Sequence, residues 1–104
     1  MAFITTAYTT ADGLSHWPDC HAGDNLYYSI DFDAWLTAEG DTLVSVAWSL
    51  PSSITSDDDF LEGNKAYIKL YAATPGTYKI ECTLSSVDAG KTQTNVVPMY
   101  LKVV

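Results

Sequence analysis

Histidine, cysteine and aspartate side chains cluster in one short segment of this chain. Imidazole, thiolate and carboxylate groups all ligate zinc, and a histidine can activate a cysteine as a nucleophile. Structural zinc sites usually draw their ligands from two spaced pairs, however, and a catalytic thiolate needs an electropositive setting, whereas this segment is acidic. We therefore predict no metal site, no cofactor and no catalytic residue. The segment contains His16, Asp19, Cys20, His21 and Asp24.

A run of carboxylates in the middle of the chain, Ser56-Asp57-Asp58-Asp59, has the ligand type that calcium prefers. It lacks the alternating spacing and the terminal glutamate of an EF-hand loop. The run therefore predicts a solvated turn rather than a cation site.

Aromatic residues on the solvent-facing side of predicted strands are the best candidates for a binding surface. Aromatic side chains in such positions mark protein or sugar contacts, but cross-strand tyrosine pairs also stabilise sheets, and both interpretations stay open. The N-terminal segment adds apolar and aromatic residues that could contact a partner. The predicted partner-binding residues are Phe3, Ile4, Tyr8, His16, Trp17, Tyr27, Tyr67, Tyr71 and Tyr100.

The elements that would position these residues are strands, because apolar side chains recur at every second position. The last stretch contains Pro98, which removes one ladder donor and predicts an edge strand or a bulge. Turn residues separate the stretches, as at Asp88-Ala89-Gly90-Lys91. The alternating stretches are 25–32, 42–50, 66–72, 77–84 and 96–104.

Two tryptophans flank the turn before the second stretch. Trp48 falls on the inward face of its strand, where a large ring can fill the space between two sheets about 10 Å apart. Trp35 precedes the Gly40 turn, and we expect it to cover an open end of the fold.

Length and composition fix the class of protein. A chain of 104 residues with 47% hydrophobic and 17% charged residues can fill one core. Five basic against thirteen acidic residues give a net charge of −8, which disfavours nucleic acid and anionic membranes. The N-terminus lacks the basic leader and apolar run of a signal peptide, and two cysteines do not make a disulfide scaffold, although a single Cys20–Cys82 bridge is left open.

These patterns predict an all-β protein, a single antiparallel β-sandwich with an extended N-terminal arm. Residues 1–23 do not alternate and form the predicted arm, while residues 24–104 form the sandwich. The arm and the strand edges are the parts suited to docking on a neighbouring subunit.

Several short motifs resemble known proteins. Pro75-Gly76-Thr77-Tyr78 through Cys82 resembles the start of a late strand in bacterial and phage immunoglobulin-like domains. Asp33-Ala34-Trp35-Leu36, Gly40-Asp41-Thr42-Leu43 and Trp48-Ser49-Leu50-Pro51 resemble pieces of small tailed-bacteriophage virion proteins. The likeness covers about residues 25–104 and departs at Gly90-Lys91-Thr92-Gln93, where those proteins often carry G-R-T-D.

The resemblance implies an immunoglobulin-like fold and a non-enzymatic virion protein made in the host bacterial cytoplasm. Its implied role is a capsid decoration (cement) protein or an adaptor that joins tail to fibre. The implied partners are the major capsid protein or tail and fibre subunits, in a homo-oligomer or symmetric array. A host-surface or carbohydrate-binding module is the alternative, in which the outward tyrosines would stack on sugars.

Overall fold

The computed structural model describes residues 8–9, 15–33, 36–37 and 40–104, and eight strands lie within them. Trp35 and its predicted covering role lie outside this part of the chain. None of the described residues form a helix with the length and apolar character to cross a bilayer. The strands are β1 (Tyr8–Thr9), β2 (Ser15–His16), β3 (Asn25–Asp31), β4 (Thr42–Ser49), β5 (Ile54–Glu62), β6 (Lys65–Ala72), β7 (Gly76–Asp88) and β8 (Lys91–Val103).

The strands form two sheets, which confirms the prediction of an all-β fold. The larger sheet has the order β1-β2-β8-β7-β4 and the smaller sheet the order β3-β6-β5. Neighbouring strands are antiparallel except β2 and β8, which run parallel. Side chains from the inner faces of both sheets make one hydrophobic core.

The core follows the alternation of the strands closely. On β6 the inward residues Ala66, Ile68 and Leu70 are at most 2% exposed. On β7 and β8 the same alternation buries a further set of side chains, as the sequence predicts. That set is Ile80, Cys82, Leu84, Met99, Leu101 and Val103.

The alternation of residues 42–50 predicts that Val44, Val46 and Trp48 point inward, and for Val44 this prediction is wrong. Val44 is 56% exposed, because the pairing of β4 with β7 shifts between Leu43 and Ser45. A bulge places one extra residue in a strand and turns the side chains before it to the other face. Leu43 therefore packs against the core in its place, while Val46 and Trp48 keep their predicted inward positions.

The predicted turn at Ser56–Asp59 is also wrong. These residues belong to β5, which pairs with β6 along most of its length. Aspartates are poor strand formers, but an edge strand tolerates them because one side of it faces water. Another register shift, between Thr55 and Asp58, accommodates the run.

β8 differs from the predicted edge strand near its carboxyl end. The N–H groups of Trp17, Cys20 and Ala22 donate to carbonyl oxygens of Tyr100, Lys102 and Val104 at 2.9–3.1 Å. The even-numbered residues of β8 thus direct their backbone groups away from β7. Pro98 shares that orientation, so its missing N–H removes no bond between β7 and β8, and their pairing has no register shift.

The predicted turn between the last two strands is confirmed. β7 and β8 join through a two-residue loop in which Ala89 has φ 52° and Gly90 has φ 78°. Two successive residues with positive φ match the twist of the flanking strands.

Part of the predicted N-terminal arm lies in the core. Trp17 is 1% exposed and Cys20 is 6% exposed, and both belong to the hydrophobic cluster. The boundary between an arm of residues 1–23 and a sandwich of residues 24–104 stays a prediction.

Candidate protein-binding surfaces

The histidine, cysteine and aspartate cluster of the sequence comes together only in part, since His21 Nδ1 lies 4.0 Å from the Asp24 carboxylate. His16 packs its ring 5.6 Å from that of Tyr100, while Cys20 is buried in the hydrophobic core. His21 is exposed, and its backbone N–H donates to the Asp24 carboxylate at 3.0 Å. Within the described part of the chain, no three His, Cys, Asp or Glu side chains are grouped to hold a metal ion.

The outer side of the smaller sheet carries a contiguous row of aromatic rings. Tyr67 and Phe60 are opposite each other in the register of β5 and β6, and their rings stack with centroids 4.8 Å apart. Phe60 also meets Tyr27 edge-on at 5.9 Å. Tyr71 lies further along the same outer side. We call Tyr27, Phe60, Tyr67 and Tyr71 the aromatic face.

Charged groups surround Tyr27, the residue of the aromatic face that lies on β3. The Tyr27 hydroxyl donates to the Asp58 carboxylate at 2.6 Å, and the Lys69 ammonium lies 5.6 Å from the Tyr27 ring centroid. The hydrogen bond to Asp58, with the negative charges nearby, raises the pKa of Tyr27 above its usual value. Tyr27 therefore stays a neutral hydrogen-bond donor at physiological pH.

The exposed part of the aromatic face is at Tyr71. This side chain is 41% exposed, whereas Tyr67 is 8% exposed and Tyr27 is half-buried. Tyr71 lines a shallow pocket of about 210 Å³ together with Asn25, Thr55, Ser56 and Asp57. Tyr71 is thus the most accessible residue of the aromatic face.

The other predicted partner-binding residues lie elsewhere. His16 and Tyr100 face outward on the larger sheet, where they are half-buried and packed together. Trp17 is in the core and unavailable to a partner without rearrangement. Phe3 and Ile4 lie outside the described residues, and Tyr8 is described only as part of β1.

Three residues on or beside the aromatic face were missed by the sequence reasoning: Phe60, Asp58 and Lys69. Phe60 and Asp58 belong to β5, and the run of aspartates in this strand led to the prediction of a turn. The signal was available, since Asp58 and Phe60 occupy alternate positions that continue to Glu62. Lys69 lies on the same side of β6 as Tyr67 and Tyr71.

The side of the molecule formed by β4 and β5 is open. A groove of about 410 Å³ lies between them, lined by Trp48 and Leu50 from one sheet and by Ile68 and residues 56–59 from the other. A second groove, of about 370 Å³, lies at the turn between β5 and β6 and includes Asp31, Asp33 and Glu62. Both grooves have acidic walls.

The two cysteines are unpaired and buried. Burial raises the pKa of the Cys82 thiol to about 12, so this residue lacks the depressed pKa of a reactive thiolate. Burial, together with a hydrogen bond involving Cys20, also raises the pKa of Tyr28. Both cysteines belong to the hydrophobic cluster, where they pack as small apolar groups.

The fold is all-β, and its candidate sites are the aromatic face and two open grooves. A family model described as "Podophage GP4 fiber-tail adaptor protein gp77" matches residues 21–98. The match covers well over half of the chain, and the chain belongs to this family. No curated protein and no solved structure matches it. The prediction of a tailed-phage virion protein, which left capsid decoration and fibre-tail adaptor types open, is confirmed for the adaptor type.

Proposed function

We propose that this protein joins tail and fibre subunits of a podophage particle and contacts one of them through the aromatic face. The observation that carries the proposal is the contiguous packing of Tyr27, Phe60 and Tyr67 on the outer side of the smaller sheet, extended by the exposed Tyr71. The family membership supports the tail as the location rather than the capsid. No catalytic step is part of the role.

Aromatic residues suit such a contact for physical reasons. A tyrosine buries a large apolar ring while its hydroxyl keeps a hydrogen bond, and few rotatable bonds are frozen when it binds. The packing among Tyr27, Phe60 and Tyr67 holds the platform rigid, which lowers the entropy cost of association. Tyr71 can then act as the residue that inserts into the partner.

Several copies of the protein, bound at the same time, would attach more tightly than one copy through one contact. The face is small compared with the area of about 800 Å² that each partner contributes to a standard stable interface. Several copies on a symmetric tail would bind together through avidity. We therefore propose that the protein acts as part of a symmetric array.

We also propose that the fold is immunoglobulin-like. If β3 to β8 are taken as strands B to G, the smaller sheet has the order B-E-D and the larger sheet contains G-F-C, which is the immunoglobulin arrangement. Trp48 then lies on strand C and Cys82 on strand F, the positions of the conserved tryptophan and of one of the two cysteines in antibody domains. The core contacts of Trp48 with Trp17, at 6.2 Å between ring centroids, support this correspondence.

For the N-terminal arm we propose a shorter segment than residues 1–23. The burial of Trp17 and Cys20 supports a boundary before Ser15, so that residues 15–23 contribute to the packed domain. Docking by an arm would then depend on Phe3, Ile4 and Tyr8.

A single exposed substitution tests the proposed contact. We expect phage carrying Tyr71→Ala to assemble particles with fewer fibres, measured as the ratio of fibre protein to tail protein by quantitative mass spectrometry. Truncating such a contact residue weakens binding by roughly tenfold. Thr94→Ala, on the exposed outer side of the larger sheet, is the matched control. An unchanged fibre ratio in the Tyr71→Ala particles would refute the aromatic face as the contact.

A further inference from the structure

β4 is an edge strand that lacks the charged side chains and the proline by which edges are usually protected against a further strand. It pairs with β7 on one side, and no described residue pairs with its other side. Its eight residues, Thr42–Ser49, include no charged side chain and no proline. Edge strands normally carry such residues to prevent pairing with other chains, so an unprotected edge is a template for strand addition. The bulge at Val44 is the one protective feature of this edge, and residues 45–49 beyond it pair regularly with β7.

Carboxylate groups of β5 lie beside the β4 edge. Asp57 and Asp59 are exposed on the wall of the groove that runs between β5 and the β4 residue Trp48. Asp59 is opposite Ile68 in the register, so its side chain is on the inner side of the smaller sheet. Asp58 has Lys69 opposite it, but neither Asp57 nor Asp59 has a lysine in the register. A strand added to β4 would therefore place its inward side chains against uncompensated carboxylates.

A second copy of this chain fits the edge poorly. Two β4 edges paired about a two-fold axis would bring both β5 strands to the same side of the dimer. Asp57, Asp58 and Asp59 of each copy would then approach their counterparts, and like charges at short range oppose association. The net charge of −8 adds to this repulsion.

We propose that the β4 edge binds an extended segment of another virion protein that carries lysine or arginine at alternate positions. The partner's backbone would extend the larger sheet beyond β4. Its cationic groups would pair with Asp57 and Asp59, and their aliphatic stems would lie on Trp48 and Leu50. The identity of the partner as a virion protein rests on the proposed function. The β4 edge and Asp59 lie apart from the aromatic face, although Asp57 also lines the pocket beside Tyr71.

A simpler role for the aspartates makes a different prediction. Inward-pointing charges on an edge strand can serve just to prevent aggregation. In that case their neutralisation would cause self-association and leave partner binding intact. The two roles are therefore separable by measurement.

The direct test uses a short peptide in which lysine alternates with valine, and a second peptide with glutamate in place of lysine. We expect the lysine peptide, added to the ¹⁵N-labelled full chain, to shift backbone amide signals of residues 42–50 and 56–59. Asp57→Asn/Asp59→Asn should bind it roughly tenfold more weakly. Asp19→Asn/Asp88→Asn, which removes the same charge from exposed sites, should bind it like the wild type. The glutamate peptide should not bind.

Several results would overturn the proposal. These are shifts that map away from β4, equal weakening in both double variants, or self-association of Asp57→Asn/Asp59→Asn with unchanged peptide affinity. The shift map on the wild-type protein tests the binding site even if a variant fails to fold. If the lysine peptide binds at β4 but Tyr71→Ala particles carry the normal number of fibres, only the proposed aromatic contact is rejected. Fibre loss in Tyr71→Ala without peptide binding at β4 would reject this inference alone.

Discussion

The indole N–H of Trp17 donates a hydrogen bond to the carbonyl oxygen of Ser29 at 2.9 Å. This bond connects the segment after β2, in the larger sheet, to β3 in the smaller sheet. The Trp17 ring also lies 5.2 Å from the ring of Tyr28 and is almost completely buried. Trp17 therefore closes one side of the core, although it lies in a part of the sequence that shows no alternation.

Substitution of Trp17 should destabilise the protein in two graded steps. Trp17→Phe keeps an aromatic ring but removes the hydrogen bond to the Ser29 carbonyl, at a cost of about 0.5–1.5 kcal/mol. Trp17→Ala also opens a cavity and should cost about 3–5 kcal/mol. Urea unfolding followed by circular dichroism measures both. A cost below about 1 kcal/mol for Trp17→Ala would contradict the core assignment.

Two truncations test where the N-terminal arm ends. Deletion of residues 2–14 should leave a cooperatively folding domain, because Trp17 and Cys20 are retained. Deletion of residues 2–20 removes both and should lower the unfolding midpoint much further. If the longer deletion is as stable as the shorter one, the arm extends at least to residue 20, which would favour the boundary that the sequence predicts.

The hairpin between β7 and β8 offers a stabilising substitution. Ala89 adopts φ 52°, a left-handed conformation that costs a residue with a Cβ about 1–2 kcal/mol. Asparagine tolerates this conformation, and Asn-Gly is a favoured pair in such turns. Ala89→Asn should therefore stabilise the protein by about 0.5–1 kcal/mol, measured by thermal unfolding. Gly90→Ala, at φ 78°, should do the opposite, and a gain from both substitutions would refute the turn geometry.

The Cys82 thiol should make stability fall at alkaline pH. Its pKa is about 12 in the folded state against an ordinary value of 9.0, because burial disfavours the thiolate. The contribution of this group is complete below pH 9 and is lost as the pH rises from 9 towards 12. Between pH 8 and 10 the loss should be about 1.4 kcal/mol.

Urea unfolding of wild type and Cys82→Ala at both pH values isolates this contribution. Other titrating groups are shared by the two proteins, so their effects cancel in the comparison. Cys82→Ala will be less stable at pH 8 because of the lost packing, but its stability should depend less on pH. An identical pH dependence in both proteins would count against the buried thiol.

The sequence predicted the strands in which every second side chain reaches the core. β6, β7 and β8 have uninterrupted alternation, and the structure buries the residues that alternation selects. Alternation does not reveal a bulge. Val44 is apolar, as an inward residue would be, but the shifted register exposes it. β5 was missed because edge position, which makes its aspartates tolerable, is a property of the assembled sheet.

The candidate sites were predictable to a lesser degree. Alternation placed Tyr27, Tyr67 and Tyr71 on one outer side, but their contacts with Phe60 depend on the register between strands. Trp17 was predicted to bind a partner because its segment does not alternate like a strand. Its burial depends on packing across the two sheets, which a local sequence pattern does not show. The groove beside β4 involves residues from both sheets, which no local pattern could bring together.

Cryo-electron microscopy of purified wild-type particles tests the central claim most directly. We expect density for this two-sheet domain at the junction of tail and fibre, with Tyr71 and Tyr27 facing one neighbour. Quantification of the same particles should give a copy number that follows the fibre protein. Density on the capsid shell, a copy number that follows the major capsid protein, or a junction in which the aromatic face meets only water would contradict it.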